Sequence, residues 1–201
     1  MRFVVTGTDT NIGKTIFSAG LCGFLGARYW KPIQSGLDGP TDSEIVAELS
    51  SAAIVPEAYR LRLAVSPHQA AAAEDIAIDP DALVPPDGPV VIEGAGGLMV
   101  PLTRQTLFID VFARWQVPLI LCARTRLGTI NHTLLSIAAI RARNIPLVGV
   151  AFIGDANEES EQVITELGKV KRLGRLPVIE PLTAGRLAGV FAKTFERQDF
   201  A

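Results

Sequence analysis

Apolar runs and helical periodicities alternate from the first residues of the chain onward. RFVVT (2–6) is a β-branched run, and the spacing behind it predicts a helix from Lys14 to about Ala27. RYWKPI (28–33) reads as the next strand, and TDSEIVAEL (41–49) as the start of another helix. The same rhythm continues through PVVIE, LFIDVFARW, PLILCA, INHTLLSIAAIRAR, PLVGVAFI, SEQVITELGKV, RLGRLP and LTAGRLAGVFAKTFE. Several of these runs are apolar at every position, which fits strands buried on both faces rather than on one. The fold class expected is α/β, a mostly parallel sheet with helices on both faces. Residues 52–89, rich in Ala, Pro and Asp, break the rhythm and read as an excursion from the core rather than a second domain.

Composition narrows the class. A chain of 201 residues, 48% hydrophobic, suits one domain spanning 1–201 with a substantial core. Its formal net charge of −2, with Lys and Arg scattered, offers no basic field for nucleic acid and points to a small-molecule partner. No apolar stretch approaches the ~18 residues of a membrane span, and the amino terminus enters a strand without a leader pattern, so a cytoplasmic protein is expected. Cys22 and Cys122 fall in apolar patterns and read as buried reduced thiols.

The chemistry begins at VVTGTDTNIGKTIF (4–17). Gly7 and Gly13 are separated by five residues, one more than in the usual GxxxxGK[ST] phosphate cradle, but strand, loop and helix fall in the order such a cradle needs. Backbone N–H groups from about Asn11 through Ile12, Gly13, Lys14 and Thr15 to Ile16 can converge on phosphate oxygens at the positive end of the helix. Lys14 would reach the β- and γ-phosphates, and the Thr15 hydroxyl would serve Mg²⁺.

A second acidic partner is available in VVIEGAGG. Glu93 ends an apolar strand, and the small residues Gly94, Ala95, Gly96 and Gly97 after it allow a ligand close to the backbone. Asp42, near a helix start, reads equally as a capping residue or as a metal ligand. Lys31, beside the rigid Pro32 and between Trp30 and Ile33, is a candidate positioned cation, with Ser35 and Gly36 following. His132, flanked by Asn131 and Thr133 at a helix start, reads as a capping or packing histidine.

GTDTNIGKT, KPIQSG, SPH, IEGAGG and GTINHTLLS occur together and in this order, from Phe3 to about Pro177. In that combination the chain resembles the dethiobiotin synthetases, whose phosphate loop has the longer GTDTxxGKT form. The resemblance implies a P-loop fold and an ATP-dependent cyclo-ligase of biotin synthesis, making dethiobiotin from 7,8-diaminononanoate, CO₂ and ATP in a homodimer. It implies that Thr15, Asp42 and Glu93 surround Mg²⁺. It assigns ATP to Asn11–Ile16 and Glu93–Gly96, with Ile153, Gly154, Leu176, Pro177 and Val178 near the base. Lys14 and Lys31 would be catalytic. Thr10, Lys31, Ser35 and Gly97 would face the substrate, while the turn Leu127, Gly128, Thr129, Ile130 and Asn131 would receive its carboxylate from the neighbouring subunit. His68 lies in the SPH motif and carries no assigned chemistry.

There is one departure from the pattern. Where that family presents an asparagine to adenine, this chain reads Ile153-Gly154-Asp155, and the nearest asparagine is Asn157. The main rival reading is an NTP-driven switch ATPase of the partitioning or metal-chaperone type. Those proteins place another lysine early in the loop, where Thr8, Asp9 and Thr10 stand here. A GTPase would need an NKxD sequence, which the chain lacks, and an amidotransferase of cobyrinate type would need a glutaminase region.

Overall fold

Strand β1 (Arg2–Gly7) runs through the middle of a seven-stranded sheet in a computed structural model that describes residues 1–200. It lies between β6 (Val90–Gly97) and β7 (Leu119–Arg124). Beyond β6 come β2 (Arg28–Trp30) and the edge strand β4 (Ile54–Val55); beyond β7 come β8 (Leu147–Ile153) and β9 (Arg172–Leu176). Every neighbouring pair is parallel.

The all-apolar strands are explained by two cores. On one face Val4, Ile92, Leu121 and Phe152 pack with α4 (Phe108–Trp115), α5 (Thr129–Ala142) and α6 (Glu158–Gly168). On the other, Val5, Val91, Ile120 and Ala151 pack with α1 (Lys14–Leu25), α2 (Asp42–Ser50) and α7 (Ala184–Thr194). Successive strand residues point to opposite faces, so a strand covered by helices on both sides is apolar along most of its length. Helix α7 is fastened by aromatic packing: the Phe17 ring lies 5.4 Å from Phe191 and 5.3 Å from Phe195.

RYWKPI is not one strand. It breaks at Lys31-Pro32, because Pro32 has no N–H to donate to a ladder. The chain resumes as β3 (Ile33–Ser35), which pairs with β5 (Tyr59–Leu61) in a separate two-stranded sheet. Residues 52–89 thus contribute more than an excursion: β4 extends the main sheet, β5 completes the small one, and α3 (Pro67–Ala73) packs against β3. Among the described residues no helix is long and apolar enough to cross a membrane.

Candidate active site

The loop between β1 and α1 sits at the carboxyl edge of the sheet, where open parallel sheets bind ligands. Gly13 precedes the helix at φ 94°, a left-handed conformation, and a Cβ there would stand 2.8 Å from Ile153 Cγ2. The first intrahelical bond runs from Phe17 N–H to the Gly13 carbonyl, so the N–H groups of Lys14, Thr15 and Ile16 have no acceptor inside the helix. Lys14 is buried, and its Nζ donates to the Asp9 carbonyl at 2.8 Å. Burial lowers its pKa, with Glu93 opposing that and the charge of Lys31 adding to it. Asp9 accepts from Thr10 N–H at 2.7 Å and faces Arg124 at 3.4 Å, which holds the loop to the end of β7.

Opposite the loop, Lys31 lies between two carboxylates. Its Nζ is 2.5 Å from Asp42 Oδ2 and 3.1 Å from Glu93 Oε1, and donates to the Gly94 carbonyl at 3.3 Å. Lys31 lies in the gap between β2 and β3, and its side chain lines the site. Burial pushes the Lys31 ammonium downward, but Glu93 and Asp42 outweigh it and raise its pKa. For Asp42 burial pushes upward, while the charge of Lys31 and hydrogen bonds from Lys31 and Thr15 hold the carboxyl below its usual range.

Asp42 is not the residue that caps α2. Thr41 caps α2 through a capping box with Glu44, which frees the Asp42 carboxylate to face Lys31 and Thr15. Gln34 Oε1 accepts the Asp42 N–H at 3.3 Å. Thr15 Oγ1 donates towards Asp42 Oδ1 at 2.9 Å and Glu93 Oε1 at 3.1 Å. These three hard oxygens are a sensible partial set for Mg²⁺, which takes its remaining ligands from phosphate and water. No group of three or more His, Cys, Asp or Glu able to enclose a metal occurs among the described residues, so a bound triphosphate would have to complete the set.

Loop and carboxylates face one cavity of about 460 Å³. It gathers Thr10, Asn11, Ile12, Gly13, Lys14, Thr15, Lys31, Ser35, Asp42, Glu93, Ala95 and Gly96 of the residues singled out from sequence. Gly94 and Gly97 lie in the same strand behind it, Gly97 against the Gly7 carbonyl. Ile16 lies in the first turn of α1, off the cavity wall. Ile153 meets the loop at Gly13, and Gly154 N–H donates to the Leu176 carbonyl at 3.0 Å. Pro177 and Val178 line a separate shallow groove beside α7.

The turn Leu127–Asn131 does not reach this cavity within the chain. Gly128 caps α5 at φ 93° with no side-chain bond, and Leu127 is wholly exposed. His132 neither caps nor packs, contrary to the sequence reading. The buried face of α5 is taken by Thr129, Thr133, Ile137 and Ile140, which leaves His132 on the exposed side. Cys22 and Cys122 are free and buried, and burial raises both thiol pKa values.

A curated relative from Rhodopseudomonas palustris (strain TIE-1), an ATP-dependent dethiobiotin synthetase BioD, is 63% identical over 99% of this chain and 96% of its own. The chain belongs to the dethiobiotin synthetase family. The synthetase of Agrobacterium fabrum is 58% identical over the full chain and 97% of its own length. A family profile described as an AAA domain matches residues 1–186. Among solved structures, the Pyrococcus furiosus cell division ATPase MinD aligns over 100% of this chain and 99% of its own at TM-score 0.57 and 12% identity. A ParA family ATPase from Chlorobium tepidum aligns at TM-score 0.53 and 10% identity. At those identities the likeness is one of fold, the P-loop α/β architecture expected from the sequence.

Several site residues were not legible in advance. Tyr29 is fully buried, and its hydroxyl donates to Glu93 Oε2 at 3.0 Å. Burial and the Glu93 charge keep this phenol protonated far above its ordinary range. In the sequence it is one more aromatic in an apolar run. Gln34 and the wall formed by Ala64, Val65, Ser66 and Pro67 also escaped, although the SPH motif marked the last two. Ser66 Oγ lies 3.0 Å from His68 Nδ1, so that histidine contacts a wall residue without lining the cavity itself.

Proposed function

We propose that the chain is an ATP-dependent dethiobiotin synthetase acting on 7,8-diaminononanoate and CO₂ as one P-loop domain, working in the cytoplasm as a homodimer. The observation that carries this reading is a single cavity with a phosphate loop on one wall and Lys31, held between Asp42 and Glu93, on the other.

CO₂ adds to one amine of the diamine, and loss of a proton leaves a carbamate anion. Lys31, positively charged in its pair of carboxylates, stabilises that anion within the cavity. A carbamate oxygen attacks the γ-phosphorus, and the bond to the departing ADP oxygen breaks. Lys14 and the N–H groups of the loop neutralise the charge spread over the phosphates. The second amine then attacks the carbamoyl carbon of the mixed anhydride, closes the five-membered urea ring and expels phosphate. Thr15, Asp42 and Glu93 would hold Mg²⁺, which supplies charge neutralisation on the phosphate oxygens when bound. Ser35, with a buried hydroxyl free of protein partners, is available to the diamine from the cavity wall. The substrate carboxylate would meet the exposed N-terminal turn of α5 from the neighbouring subunit, whose free N–H groups suit an anion. The enzyme is therefore asked chiefly to position and neutralise, effects that together can supply ~7 kcal/mol or more.

The test is turnover. Purified protein with ATP, Mg²⁺, bicarbonate and the diamine is expected to release dethiobiotin, ADP and phosphate in equal amounts. Nucleotide hydrolysis indifferent to the diamine would overturn the reading in favour of an NTP-driven switch.

A further inference from the structure

We propose that Tyr29 is a positioning residue that fixes the Glu93 carboxylate in the orientation that presents Oε1 to the metal and to Lys31. The inference rests on the reading of Glu93 as a metal ligand and deepens it.

The two oxygens of Glu93 have separate partners. Oε1 receives Thr15 at 3.1 Å and Lys31 at 3.1 Å, from the cavity side. Oε2 receives only the Tyr29 hydroxyl, at 3.0 Å, from the buried side. Tyr29 belongs to the apolar cluster beneath α1, so without its O–H the second oxygen would face hydrocarbon and seek another donor. The torsion that swings a glutamate carboxyl is broad and nearly two-fold, so packing alone does not choose which oxygen faces the cavity. A hydrogen bond from an immobile phenol does. Tyr29 and Lys31 stand two residues apart around the end of β2, so one short segment supplies the donor for Oε2 and the cation for Oε1. Groups that hydrogen-bond a ligating carboxylate set its orientation, and their loss typically lowers metal affinity by about 10- to 100-fold.

Tyr29→Phe removes one oxygen and keeps every ring contact, so the core remains filled. Mn²⁺ binding, read by electron paramagnetic resonance in the presence of a non-hydrolysable ATP analogue, is measured for the wild type, Tyr29→Phe, Glu93→Gln and the double variant. Binding of metal-free ATP is measured on the same four proteins. Tyr29→Phe is expected to weaken Mn²⁺ about 10-fold while metal-free ATP affinity stays within about two-fold, and to add nothing in the Glu93→Gln background. Wild-type Mn²⁺ affinity in Tyr29→Phe, beside a loss in Glu93→Gln, overturns the role of Tyr29 alone. Unchanged affinity in Glu93→Gln overturns the metal reading beneath it. An equal loss of metal-free ATP binding, or a Tyr29→Phe loss that persists without Glu93, makes Tyr29 a packing residue and overturns the proposal.

Discussion

Lys31 and Asp42 meet at 2.5 Å, joining the residue after strand β2 to the first residue of helix α2. Neither belongs to the phosphate loop, yet each bonds to a group that also touches it: Glu93 accepts from Lys31 and from Thr15, and Asp42 accepts from Thr15. A change at Lys31 therefore alters the charge around the phosphates as well as the charge offered to a substrate.

Lys31→Gln is expected to keep most nucleotide affinity, because the loop is intact, and to lose turnover by ~10²-fold or more through the missing charge on the carbamate. Steady-state rates at saturating diamine measure it. A near-wild-type kcat would remove Lys31 from the mechanism.

The same pair sets an acid limit on stability. The Asp42 carboxyl is depressed in the folded state, so its contribution is complete above the unfolded value near ~3.9 and is lost as pH falls through the lower folded value. Lys31→Met removes the charge and the hydrogen bond from Lys31 that lower this carboxyl and should move its folded value up towards the unfolded one. The variant should then lose less stability than the wild type as pH falls through the acid range. Denaturant midpoints taken across the acid range decide it, and parallel curves for the two proteins would show that the pair contributes nothing.

Base selectivity should be weak. Asn157, the asparagine nearest the expected base site, uses both ends of its amide: Nδ2 donates to the Thr125 carbonyl at 2.9 Å and Oδ1 accepts Ser160 N–H at 3.3 Å. It caps α6, and each end of its amide is already engaged within the protein. Apolar fit alone discriminates by ~10 to 10²-fold, so CTP, GTP and UTP should support dethiobiotin formation with kcat/KM within about two orders of magnitude of ATP. A preference for ATP above ~10³-fold would mean that another polar group reads the base.

A shared site can be tested by mixing. Leu127 is wholly exposed and Leu135 is 61% exposed, so the start of α5 presents apolar surface beside its free N–H groups. Protein lacking Lys31 and protein carrying a bulky residue at Gly128 should each be inactive, and subunit exchange should restore part of the activity. No recovery after demonstrated exchange would place each site within one subunit.

Replacing Gly13 tests the loop geometry. Gly13→Ala forces a side chain into a left-handed conformation against Ile153 and should weaken nucleotide binding. Adding Ile153→Ala should relieve the steric part and leave the backbone strain, so calorimetry with ATP is expected to show partial rescue. Full rescue would mean that the contact with Ile153 was the whole cost.

The sequence by itself determined what depends on local order. Continuous apolar strands separated by helical periodicity require a parallel sheet covered on both faces, and a strand, glycine loop and GKT helix require a phosphate cradle, because burial and backbone conformation are encoded over a few residues. It also singled out Glu93, a carboxylate behind an apolar run and ahead of four small residues, although strand β6 continues through those residues to Gly97 instead of ending at Glu93. Only the tertiary structure decided which polar groups meet. Thr15 and Glu93 are separated by 78 positions and Tyr29 and Glu93 by 64, and no spacing rule reaches that far. Asp42 read as well for a cap as for a ligand, and only the fold shows that Thr41 takes the capping position and leaves the Asp42 carboxylate facing Lys31 and Thr15. His132 invited a packing role until α5 turned its other face inward. A side chain's direction depends on the element it rides on, whereas its partner depends on how the elements pack, and that packing is a property of the whole chain.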